Sequence, residues 1–77
     1  MEGLGPGNHG IVKKITVNGQ SRDTSAHDIA GLVAELGFAN GTVLVEHNGT
    51  ALRPSEWKEH ALQNGDRIEL MRLAAGG

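Results

Sequence analysis

Cysteine is absent from this chain of 77 residues. That excludes a disulfide framework, a thiolate metal centre and a cysteine nucleophile, and it fits a reducing compartment. Aromatic residues are nearly absent too, with Phe38 and Trp57 the two present. So few rings build neither a nucleotide-stacking surface nor a sugar-binding platform, and the core has to be aliphatic. An excess of charge is also missing. The formal balance is −2, whereas nucleic-acid-binding domains carry a basic face. Lys13-Lys14 is the single adjacent basic pair, too little for a polybasic membrane anchor. No run of about 18 apolar residues occurs, so no membrane-spanning helix is expected. His9, His27, His47 and His60 have neither ligand-like spacing nor cysteine partners, so we expect surface histidines and no bound metal. These absences lead us to expect a cytoplasmic protein with no nucleic-acid or membrane partner. Its length suits one domain, near the lower size at which a core folds without staples.

Glycine, by contrast, is plentiful at twelve residues. Four of them stand among the first ten positions, and residues 1–10 are expected to be a disordered leader. From Ile11 to Val17, residues Ile11, Ile15 and Val17 share one parity, as a half-buried strand requires; Val12 breaks the pattern, which favours a start at Lys13. Asn18-Gly19 is a strong hairpin signal, because a type I′ turn needs positive φ at both positions. The polar stretch Gln20–Thr24 then reads as an edge strand. Ser25 to Asp28 has capping-box spacing, and Ile29, Leu32, Val33 and Leu36 follow at i, i+3, i+4, i+7. A helix over Ala26–Leu36 is expected, closed by Gly37 as a left-handed cap, with Gly31 inside it attributed to close packing.

Thr42–His47 alternates again, with Val43 and Val45 on one face and Leu44 and Glu46 on the other. Asn48-Gly49 turns the chain, Ala51-Leu52 pairs briefly, and Pro54 ends the strand. A short helical turn over Ser55–His60 and the Asn64-Gly65-Asp66 turn lead into a last strand, Arg67–Leu73. Asn40-Gly41-Thr42 and Asn48-Gly49-Thr50 match glycosylation sequons in form and are read as turns. The order strand-strand-helix-strand-strand predicts an α+β fold with a mixed sheet of four or five strands packed on one helix. That is the ubiquitin-like β-grasp architecture.

The last strand runs into Ala74-Ala75-Gly76-Gly77. Two side-chain-free residues let an extended tail enter a channel too narrow for others. Upstream of it, Val43 and Val45 precede Asn48-Gly49, then Arg53-Pro54-Ser55-Glu56-Trp57, Leu62, and Asn64-Gly65-Asp66-Arg67-Ile68-Glu69. With Gly76-Gly77, this series resembles the ThiS family of sulfur carriers in thiamine biosynthesis, over about Lys13 to Gly77. The leader and the polar Gln20–Thr24 depart from the pattern. The resemblance implies that Gly77 is the reactive residue of a flexible tail. An E1-like, ThiF-type adenylating enzyme would use ATP to activate its carboxylate, and a persulfide donor would convert it to a thiocarboxylate. A ThiG-type thiazole synthase would then receive the sulfur. The chain would be a protein substrate rather than an enzyme, monomeric when free and with no permanently bound cofactor. A molybdopterin carrier, a ubiquitin-like modifier and a plain interaction module remain alternatives.

Several residues add expectations of their own. Trp57 is expected to lid the core beneath a loop, with Arg53 bracing that loop. Alternation pushes Leu44 and Met71 onto the open face of the sheet, where an exposed apolar patch beside the tail would dock a partner. Leu73 is grouped with that patch, and Arg72 is expected to pair with acidic groups of the partner.

Overall fold

The computed structural model describes residues 11–39 and 41–73. The expected leader and the expected reactive tail, Ala74 to Gly77, lie outside the described residues. Five strands form one mixed sheet: β1 Lys13–Val17, β2 Gln20–Thr24, β3 Val43–His47, β4 Thr50–Leu52 and β5 Arg67–Arg72. Their order across the sheet is β2-β1-β5-β3-β4. The pair β1 and β5 is parallel, and the other neighbours are antiparallel. Helix α1, Ile29–Glu35, and a 3-10 helix, Pro54–Glu59, complete the fold.

The apolar periods of the sequence meet in one core. Ile15 of β1, Val43 and Val45 of β3, Leu52 of β4 and Ile68 of β5 supply the sheet side. Ile29, Leu32 and Val33 supply the helix side, and Trp57 with Leu62 closes it from the connection between β4 and β5. Trp57 is 3% exposed, so the expected lid is a full member of the core. Polar Gln20–Thr24 is the outer strand β2, exposed at four of its five positions. Thr24 is the exception: its hydroxyl donates to Glu35 Oε1 at 2.8 Å and accepts the Ala26 N–H at 3.0 Å.

The hairpins follow their turn chemistry. Asn18 and Gly19 have φ of 50° and 82°, and Asn48 and Gly49 have 52° and 89°, the left-handed pairs that type I′ turns demand. These asparagines also brace the neighbouring strand. Asn18 Oδ1 accepts the Leu70 N–H at 2.7 Å, and Asn48 Oδ1 accepts the Arg67 N–H at 2.7 Å. Both turns are thereby stitched to β5.

The helix begins later than its sequence suggests. Asp28, not Ser25, is the N-cap, and its Oδ1 accepts the Gly31 N–H at 2.7 Å. The reason lies outside the helix. Ile29 donates to the His60 carbonyl and Leu62 to the His27 carbonyl, so the chain through Asp28 is extended and bridged to Ala61. Residues committed to that bridge cannot form a first helical turn. The other end is as expected. Gly37 has φ of 86°, its N–H donates to the Ala34 carbonyl, and the Phe38 N–H donates to the Val33 carbonyl. That pair of hydrogen bonds is the Schellman arrangement, and Phe38 packs against the core just beyond it.

Gly31 packs closely against the segment before the helix, as its sequence position suggested, yet a side-chain carbon is not shut out. A Cβ there would stand 3.4 Å from Ala26 Cβ and Asp28 Oδ1, ordinary van der Waals contact.

Candidate functional site

Strand β5 occupies the middle of the sheet, and it leads to Leu73, the last of the described residues. The last rung of the β3–β5 ladder pairs Val43 with Arg72. Beyond it, the Leu73 N–H donates to the Thr42 carbonyl at 3.0 Å. Thr42 is itself held, because its N–H and its hydroxyl both donate to the Ala39 carbonyl, the hydroxyl at 2.6 Å. The Arg72 guanidinium lies over the Phe38 ring, 5.3 Å from its centroid, a cation–π distance. The chain is thus anchored up to Leu73.

The four residues expected to dock a partner fall into two groups. Leu44 and Met71 stand directly opposite each other on β3 and β5, at 49% and 65% exposure. They line a groove of about 470 Å3 on the open face, together with Glu46, Ala51, Arg67 and Glu69. Arg72 and Leu73 instead line a smaller groove of about 350 Å3 with Phe38 and Thr42, at the end of the described chain. The apolar patch and the tail root are neighbouring but separate surfaces.

Sequence reasoning missed two features. One is the acidic pair on the open face: Glu46 is opposite Glu69 in the same register that joins Leu44 to Met71. Alternation puts each glutamate outward, but only the register brings them together. The other is a polar cluster at the opposite end of β3. His47, expected on the surface, has a side chain 12% exposed, with Nε2 2.7 Å from Asp66 Oδ2. Its Nδ1 is 3.4 Å from Nδ1 of His60. Asp66 also accepts from Asn48 Nδ2 at 3.0 Å and from the Gln63 N–H at 2.9 Å. Burial pushes the Asp66 carboxyl up, but the hydrogen bonds from His47, Asn48 and Gln63, with the charge of His47, outweigh it and hold the group below the usual aspartate value. This cluster ties β3, the 3-10 helix and the start of β5 together at the end of β5 remote from the tail.

A helix laid across a mixed five-stranded sheet, with the central strand leading to the tail, defines a ubiquitin-like β-grasp protein. The ThiS family model matches residues 15–77, a span that includes Gly76 and Gly77, and the chain belongs to that family. Among solved structures it is similar to the thiamine biosynthesis protein (ThiS) from Geobacter metallireducens. That likeness has a TM-score of 0.69 at 26% identity and covers 83% of this chain and 99% of the other. The chain is also 32% identical over 65 residues to a thiazole synthase of Paramagnetospirillum magneticum. That match takes in 83% of this chain but 20% of the relative, so the chain spans about a fifth of the length of the curated relative it matches.

Proposed function

We propose that this protein is a sulfur carrier for thiazole formation in thiamine biosynthesis, with the Gly77 carboxylate as its reactive group. The observation that carries the reading is the family match running through Gly76 and Gly77, on a fold whose central strand leads directly to those residues.

A carboxylate is a poor electrophile, so it must be activated before sulfur can add. A carboxylate oxygen of Gly77 attacks the α-phosphorus of ATP on a ThiF-type adenylating enzyme and expels pyrophosphate. The terminal sulfur of a persulfide donor then attacks the acyl carbon and expels AMP. A thiol cleaves the sulfur–sulfur bond of the resulting acyl persulfide and leaves as a disulfide, so Gly77 retains a thiocarboxylate. Ionised and soft, that group is a nucleophile suited to sulfur delivery, and a ThiG-type thiazole synthase receives it. None of these steps asks for a side-chain acid or base from the carrier. Its body serves to bind, through the Leu44–Met71 face and the tail root at Arg72 and Leu73. A thiazole synthase that contains a segment similar to this chain supports that enzyme as the acceptor.

Intact mass spectrometry tests the reading on untagged protein incubated with an adenylating enzyme, ATP and a persulfide source. The expected product carries one sulfur in place of one oxygen at Gly77. Conjugates on lysines of other proteins would instead make the chain a modifier. No change of mass would defeat the proposal.

A further inference from the structure

The register of β3 against β5 sets Glu46 directly opposite Glu69 on the open face. Side chains so paired have Cβ atoms about 5 Å apart, and like charges at that spacing repel. Both glutamates are exposed, and no ion pair within the described residues neutralises either. The ion pairs found there join Lys14 to Asp23, Arg22 to Glu35 and His47 to Asp66. Arg67 stands two residues before Glu69, but its Nη2 reaches towards the β3–β4 turn, 3.9 Å from where a Cβ on Gly49 would stand. The carboxylates adjoin the apolar pair Leu44 and Met71, and all four side chains line the same groove. Among the described residues Arg67, which lines the same groove, is the one basic neighbour and forms an ion pair with neither, so the two carboxylates stand side by side without an ion-pair partner. They are complementary to a cation.

We infer that the open face is read by a basic side chain of the thiazole synthase, which enters between Glu46 and Glu69 while an apolar neighbour covers Leu44 and Met71. The inference rests on the proposed carrier role and adds the chemistry by which the acceptor recognises it. Arginine suits the position better than lysine, because its planar fork can donate to both carboxylates at once. The apolar contact beside it excludes water and strengthens the charged one. One contact without the other leaves the face free to rotate. The two together fix how β5 points, and with it where the tail enters.

Titration calorimetry of the full chain with purified thiazole synthase, at low and at high salt, tests this. The E46Q/E69Q variant should bind about tenfold more weakly at low salt and lose most of the salt dependence. Its melting temperature should stay level or rise, because a repulsion has been removed. Leu44→Glu should weaken binding at both salt concentrations. Unchanged affinity and salt dependence in E46Q/E69Q would overturn the inference, as would a lowered melting temperature, which would mean the pair is compensated within the fold. Absence of any association between the unaltered chain and the synthase would overturn it too. Loading of sulfur onto Gly77 by the adenylating enzyme is read separately by mass, so the carrier role stands or falls apart from this result.

Discussion

His47 Nε2 and Asp66 Oδ2 stand 2.7 Å apart, and this contact helps to make part of the fold's stability depend on the ionised Asp66 carboxylate. Because Asp66 is held below its usual value, its contribution to stability is present above the ordinary aspartate range. It is lost as the pH falls through the lowered value. Urea unfolding followed over acidic pH should therefore show stability declining below about pH 4. Asp66→Asn should remove that component and cost about 2 kcal/mol at neutral pH. Whichever oxygen becomes an amide nitrogen would face a donor, since His47, Asn48 and the Gln63 N–H surround the group. An Asp66→Asn variant as stable as the parent at neutral pH would refute the role given to this cluster.

Gly31 offers a gain rather than a loss. A Cβ there would just touch Ala26 and Asp28, and glycine costs up to about 1 kcal/mol against alanine in a helix. Gly31→Ala should raise stability by a few tenths to about 1 kcal/mol, a shift that thermal melting resolves. A loss of stability would show that the contacts at Ala26 and Asp28 do not relax.

Phe38 supports the tail root from beneath. Phe38→Ala removes both the Schellman contact and the ring under Arg72, and should destabilise the protein by about 1–3 kcal/mol. The more specific readout is hydrogen exchange. The Leu73 amide, bonded to Thr42, should lose protection by a larger factor than the amides of β1. Equal loss throughout would mean the ring supports the core and not the tail root.

At the proposed reactive end, deletion of Gly77 or addition of one residue after it should abolish sulfur loading while circular dichroism and melting stay unchanged. Full loading of either variant would place the chemistry elsewhere. Met71→Glu should likewise leave the fold intact, because the side chain is mostly exposed, and should weaken partner binding.

Much of this fold was legible because its signals are local. Asn18-Gly19 and Asn48-Gly49 carry their turn geometry in two residues, and Gly37 ends its helix within one turn. The helix start was not, because Ser25 and Asp28 are both competent caps. The bridge from Asp28 to Ala61, thirty-three positions away, decides between them. Distance hid the histidine cluster as well, since nothing beside His47 announces a carboxylate arriving from residue 66. For the candidate site, outward Leu44 and Met71 followed from alternation. That Glu46 would meet Glu69, and that Arg72 would settle on Phe38, depended on register and on where the loop after the helix comes to rest.

The bond from Leu73 to Thr42 also acts as a ruler. Gly77 lies four positions beyond Leu73, and four positions reach at most about 14 Å when fully extended. An enzyme that reacts at Gly77 must therefore hold its reacting centre within that depth of the surface resting on the tail root. A deeper centre goes unserved, and a shallow one leaves slack that spoils alignment. If the reacting centre is recessed by most of that reach, a catalyst acting at Gly77 would also have to rest against the tail root. Fidelity can thus be exercised in the footprint, before a single bond changes.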